Sequence, residues 1–136
     1  MIYAAYLMLL YISYVDFVEG YIYDRDLVIL FIFLYFSTTS GIYSSYVGMG
    51  IFSLPFFILW ILESYFNFEI IGMGDIKLML IFGMYFGIKD MHFIFTFYEI
   101  MYFSSLIYAI ILRKKYVPFA PAMCFSFIIH DLGIFN

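Results

Sequence analysis

The chain has 136 residues, a formal net charge of -4, 67% hydrophobic residues and only 12% charged ones. Soluble domains are typically about 45–50% apolar, so an ordinary water-soluble domain is excluded, and the low charge content excludes a disordered tail. What remains is a single polytopic membrane domain over residues 1–136, with room for about six spanning helices of about 20 residues each and for no separate soluble domain.

The first apolar run, Ile2 to Val18, is interrupted by Asp16. It has no basic residues ahead of it and no small-residue cleavage site behind it, so it reads as a retained helix rather than a signal peptide. A polar stretch from Glu19 to Asp26 leads to the second run, Leu27 to about Tyr43, which thins through Ser37, Thr38, Thr39, Ser40 and Gly41. The third run is Val47 to Leu62, closed by Glu63. Next come Gly72-Met73-Gly74-Asp75-Ile76-Lys77 and the fourth run, Leu78 to Ile88. That run is about two-thirds of a span, and reaches full length only if Ile70 to Lys77 also lies at membrane depth. The fifth run is Met91 to Leu112; Arg113, Lys114 and Lys115 separate it from the sixth, Val117 to Phe135.

Helices are expected throughout, because a lipid-facing backbone must satisfy its own hydrogen bonds. A barrel would need alternating strands, and Leu27 to Phe36 does not alternate. The fold class is therefore all-α, with about six transmembrane helices. Arg25, Lys77, Arg113, Lys114 and Lys115 fall in odd-numbered connections, against Lys89 alone on the other side. The positive-inside bias places the odd connections in the cytoplasm and both termini outside. No basic surface suggests nucleic acid. The single Cys124 and the absence of clustered His, Asp or Glu suggest no metal, and no cofactor is implied.

Asp16 and Asp75 stand out, because a charge at membrane depth costs at least about 2.5–3.5 kcal/mol. The plain alternative is that each is hydrated at the interface. In the inferred topology both sit at cytoplasmic helix ends, at similar depth, where they can face each other. Such carboxylates share a proton, and one can activate water while the other protonates a scissile carbonyl. Gly72 and Gly74 precede Asp75; they would permit positive φ and a close approach of substrate, or simply a small-residue helix contact.

Gly72-Met73-Gly74-Asp75-Ile76-Lys77-Leu78 resembles the GxGD motif of type IV prepilin peptidases, the aspartic leader peptidases of pilus and type II secretion systems. Gly83-Met84-Tyr85-Phe86-Gly87 resembles the family's glycine-spaced helix. Asp16 is followed by Ile22, Tyr23 and Asp24 where the family has Ile-Pro-Asn or Ile-Pro-Asp, so Tyr23 departs from the proline. Val117-Pro118-Phe119-Ala120-Pro121 is similar to the family's Ile-Pro-Phe-Gly-Pro segment. The matches keep order over residues 16–121. The chain resembles the short forms without the N-terminal Cys-x-x-Cys segment associated with N-methylation.

The resemblance implies an aspartic endopeptidase of the cytoplasmic (inner) membrane, its site facing the cytoplasm. Its substrates would be prepilin-like or preflagellin-like proteins with short basic leaders, and Asp16 and Asp75 would be the catalytic pair. Glu19, Asp24 and Asp26, opposed only by Arg25, form an acidic stretch beside Asp16 that suits docking of a basic leader, or is a hydrated loop whose charges do nothing. Asp24 competes for a turn-forming role. Lys77 would snorkel to headgroups or tune Asp75. Pro118 and Pro121 fit a helix start first, and a segment lining the site second. Glu99 reads as buried in the fifth run, either satisfied by Tyr98, Tyr102 or Ser104 or held neutral, or else making a polar contact inside the bundle or near the substrate groove. His130 and Asp131 lie toward the outer side, away from the pair. Two alternatives are a small transporter or assembly subunit with carboxylates along an ion path, and a presenilin-like GxGD protease.

Overall fold

The computed structural model describes residues 1–66, 71–112 and 117–134. Among these it contains six α-helices: α1 (Ile2–Glu19), α2 (Asp24–Tyr35), α3 (Ile42–Phe66), α4 (Met73–Phe86), α5 (Met91–Leu112) and α6 (Ala120–Asp131). Three of them, α1, α3 and α5, are long and apolar enough to cross a membrane. The other three have 12, 14 and 12 residues, which at about 1.5 Å per residue is roughly 18–21 Å. Among the described residues, then, three of the six expected spans reach spanning length by size and composition, and three long helices alternate with three short ones.

The reasons lie at the helix ends. α1 stops because Gly20 takes a left-handed conformation (φ 67°) and returns its N–H to the Asp16 carbonyl, a backbone state that glycine adopts without a Cβ penalty. The expected polar loop to Asp26 is shorter than that: Asp24 and Asp26 form the first turn of α2, where carboxylates favour the helix dipole. The Ser/Thr stretch read as thinning of the second run ends α2 and serves another helix. Thr38 Oγ1 donates to the Tyr85 carbonyl at 2.8 Å, and Ser40 Oγ reaches the Tyr85 and Phe86 carbonyls at 3.4 Å. Ser44 Oγ accepts the Ile88 N–H at 2.9 Å. These contacts satisfy the orphan groups at the C-terminus of α4 and let α3 begin at Ile42, five residues before the expected Val47.

α4 is the central helix, packed on α2, α3 and α6; α1 lies against α2 and α6, and α5 against α6. At the α3–α4 crossing, a Cβ on Gly48 would lie 2.3 Å from the Gly83 carbonyl oxygen, and one on Gly83 equally close to that of Gly48. The two backbones touch, as small residues allow between membrane helices. Above this crossing, Phe52, Phe82, Phe86, Phe97 and Phe127 interlock from α3, α4, α5 and α6. Outward positions carry large apolar side chains, as a lipid-facing surface requires. Glu99 departs from expectation: it is exposed on α5, because Ile94, Phe97, Tyr98, Met101 and Ser105 form that helix's buried side.

A polar pin closes one end of the bundle. The Asp131 carboxylate of α6 accepts hydrogen bonds from Tyr6 of α1 and from Tyr85 of α4, the latter at 2.6 Å. Beside it, His130 Nδ1 donates to the Ser126 carbonyl at 2.9 Å, and Nε2 meets Thr96 Oγ1 at 3.2 Å.

Candidate active site

Asp16 lies in the last turn of α1 and Asp75 in the first turn of α4. Both are buried, 6% and 9% exposed, and close enough that the charge of Asp16 acts on Asp75. Each has one oxygen fixed by a main-chain donor. The Ala120 N–H, first of α6, reaches Asp16 Oδ2 at 3.1 Å. The Gly72 N–H reaches Asp75 Oδ2 at 3.3 Å, so Asp75 also caps its own helix from the third position. The second oxygen of each aspartate accepts no hydrogen bond among the described residues. No fully buried side-chain oxygen there lacks a partner, so both second oxygens reach the surface. This leaves them available to water or a substrate carbonyl.

The elements that bring the pair together are built around small residues and helix ends. Gly72 precedes α4 with φ -76° and ψ 148°, an extended conformation open to any residue, so positive φ is not its role. A Cβ there would lie 3.4 Å from Asp75 Oδ2. Gly74 is helical, and a Cβ on it would lie 2.9 Å from Ile22 Cβ; it admits the α1–α2 connection against the first turn of α4. Pro121 is the second residue of α6 and Pro118 lies two residues before that helix. Neither needs an intrahelical N–H, and between them Ala120 is left as the donor to Asp16. Cys124, buried one turn further along α6, sits against Ser13 and within electrostatic reach of both aspartates.

The acidic stretch divides. Glu19 is exposed and accepts the Tyr23 hydroxyl at 2.6 Å, which holds that phenol proton more tightly and raises the Tyr23 pKa. Asp24 pairs with Lys77 at 2.6 Å across α2 and α4, with both side chains largely exposed. Asp26 is buried and pairs with Arg25 at 3.3 Å, so it does not offer a docking surface; its place in the first turn of α2 turns it inward. Lys77 thus meets Asp24 rather than Asp75. Arg113, Lys114 and Lys115, which weigh heavily in the orientation argument, lie outside the described residues, as does Glu69.

Two groups had no functional signal in the sequence. One is the Ala120 N–H; only the Pro-x-x-Pro spacing around it hinted at an organised helix start. The other is Glu63, whose buried carboxylate accepts the Ile71 N–H immediately before Gly72. Next to Asp16, an apolar groove of about 590 Å³ runs between α1, α5 and α6, lined by Ser13, Phe17, Ile107, Tyr108, Ile111 and Pro121. Among the described residues no group of His, Cys, Asp and Glu could hold a metal ion.

The type IV leader peptidase family model matches residues 3–113. The chain belongs to this family. No curated protein and no solved structure matches it. Membership makes this leader peptidase relative a protease, and its apolar helices make it a membrane protein. The matched span includes Asp16, Gly72, Gly74 and Asp75; α6, which supplies the Ala120 donor, follows it.

Proposed function

We propose that this leader peptidase is an aspartic endopeptidase of the cytoplasmic membrane. It removes the short basic leader from prepilin-like or preflagellin-like proteins at the cytoplasmic face. The observation that carries the reading is the buried Asp16–Asp75 pair, each carboxylate steered by one main-chain N–H with its other oxygen open.

The chemistry follows from two carboxylates that share one proton. The ionised member takes a proton from water as its oxygen attacks the scissile carbonyl carbon. The protonated member gives its proton to the carbonyl oxygen. Collapse of the diol breaks the C–N bond, and the departing nitrogen takes back a proton from the pair. The apolar groove beside Asp16 suits a hydrophobic segment following the scissile bond. Exposed Glu19 and the Asp24 half of the Asp24–Lys77 pair suit the basic leader. The transporter alternative needs carboxylates in succession through the interior, whereas Glu99 faces outward and Asp131 is held by two tyrosines.

Co-expression with a prepilin-like substrate, read as a mobility shift on a gel, tests the proposal. Asp16→Asn and Asp75→Asn should each lose at least about a thousandfold in cleavage rate while still inserting, since members of one catalytic unit are strongly non-additive. Near-normal cleavage by either variant would overturn the two-aspartate mechanism.

A further inference from the structure

The outward side of α5 is the least explained surface of the protein. Phe95, Glu99, Tyr102, Phe103, Leu106 and Ile110 recur at three- and four-residue spacing and form one stripe along the helix. Phe95, Phe103, Leu106 and Ile110 are each more than half exposed. Glu99 sits mid-stripe, eight residues into a 22-residue spanning helix, which is about 12 Å along its axis. Ionisable groups at membrane depth almost always face a bundle interior or a partner, because lipid gives them nothing to bond. Among the described residues Glu99 has no partner. One turn away, Tyr102 is stacked on Tyr98 at 6.0 Å, and its hydroxyl also has no partner among those residues.

An acceptor and a donor, one turn apart at the centre of an apolar stripe, are complementary to the same pair on a second copy. A two-fold axis along the membrane normal sets residue i against j and j against i. We propose that two copies of this protein associate through α5, packed in parallel, with the Glu99 carboxylate of each accepting the Tyr102 hydroxyl of the other. The stripe buries its phenylalanines and leucine in the same contact. The catalytic pair is not involved, so this association stands apart from the proposed activity.

Single cysteines in a Cys124→Ser background test it in native membranes. Leu106→Cys on the stripe should form a disulfide-linked dimer on mild oxidation, whereas Leu54→Cys, equally exposed on α3, should not. Glu99→Leu with Tyr102→Phe should weaken the dimer about tenfold, measured by single-molecule photobleaching in lipid vesicles. Glu99→Gln, which keeps an acceptor, should retain most of it. Equal cross-linking at the two cysteine positions would overturn the proposal. So would a dimer indifferent to the double substitution, or an adduct whose mass matches a different protein.

Discussion

In the proposed mechanism each aspartate must be held still without losing the oxygen that would do the chemistry. Main-chain donors achieve this here, because an N–H from the start of a helix carries the helix dipole and has no internal partner. Asp16 takes such a donor from α6 and Asp75 takes one from the residue ahead of its own helix. Glu63 extends the arrangement by anchoring Ile71, the neighbour of Gly72. Glu63→Ala leaves a buried N–H unpaired, at a cost of about 1–3 kcal/mol, in the segment that aims Asp75. It should lower the cleavage rate about tenfold, while Glu63→Gln, which keeps a carbonyl acceptor, should cleave near the parental rate. Initial rates at matched protein levels decide it; an alanine variant as fast as the parent would remove Glu63 from the positioning of the site.

Helix ends and crossings, more than helix interiors, carry the specific information in this fold. The Gly48–Gly83 contact leaves no room for a methyl group on either side. Gly83→Ala should therefore lower stability by about 1–3 kcal/mol, as overpacking does. Gly50→Ala, where nothing lies within 4 Å, should be neutral or slightly stabilising. Thermal unfolding in detergent compares them, and equal midpoints would mean the two helices can separate freely at that point. Hydropathy made the order of all six helices legible, because lipid exposure writes apolar runs directly into the sequence. Asp16 and Asp75 stand out in the sequence for the opposite reason, since a carboxyl in such a run is expensive. The role of Ser37 to Ser40 was not, because a polar break looks the same whether it meets water or caps a distant helix. Nor could sequence say that Gly72 is extended, that Gly74 admits Ile22, or that Asp26 turns inward. Each depends on which backbone lies opposite, and one side chain's chemistry does not encode that.

Taken together, α1 and α6 are fastened twice, and α4 joins them at one of the two ends. Asp16 and Ala120 join α1 to α6 at one end, and Asp131 joins α6 to both α1 and α4 at the other. Tyr6 is ten residues before Asp16, and Tyr85 is ten after Asp75, so the two fastenings lie about 15 Å apart. The distal one keeps the three helices in register, and with them the helix ends that carry the aspartates. Asp131→Leu strands two tyrosine hydroxyls and should cost about 1–3 kcal/mol. Asp131→Asn keeps an acceptor and should fold and cleave nearly as the parent. Unfolding midpoints, read beside cleavage rates, check this; an unchanged Asp131→Leu midpoint would show that the tyrosines find other partners.

The three short helices have one more consequence. A hydrocarbon layer is about 30 Å thick, and α4 and α6, which deliver Asp75 and the Ala120 N–H, measure roughly 21 and 18 Å. α4 is enclosed by α2, α3 and α6, so water entering from the membrane surface, or lipid thinned against the bundle, must fill the difference, at a cost that grows with each ångström of mismatch. Either response brings the aqueous phase toward the aspartates, so a group buried by protein is still within reach of the water that hydrolysis consumes. The enzyme is then a gauge of bilayer thickness. Reconstituted in a series of lipids of increasing acyl length, it should cleave fastest in thin bilayers and slow steadily as they thicken, with its helix content by circular dichroism unchanged.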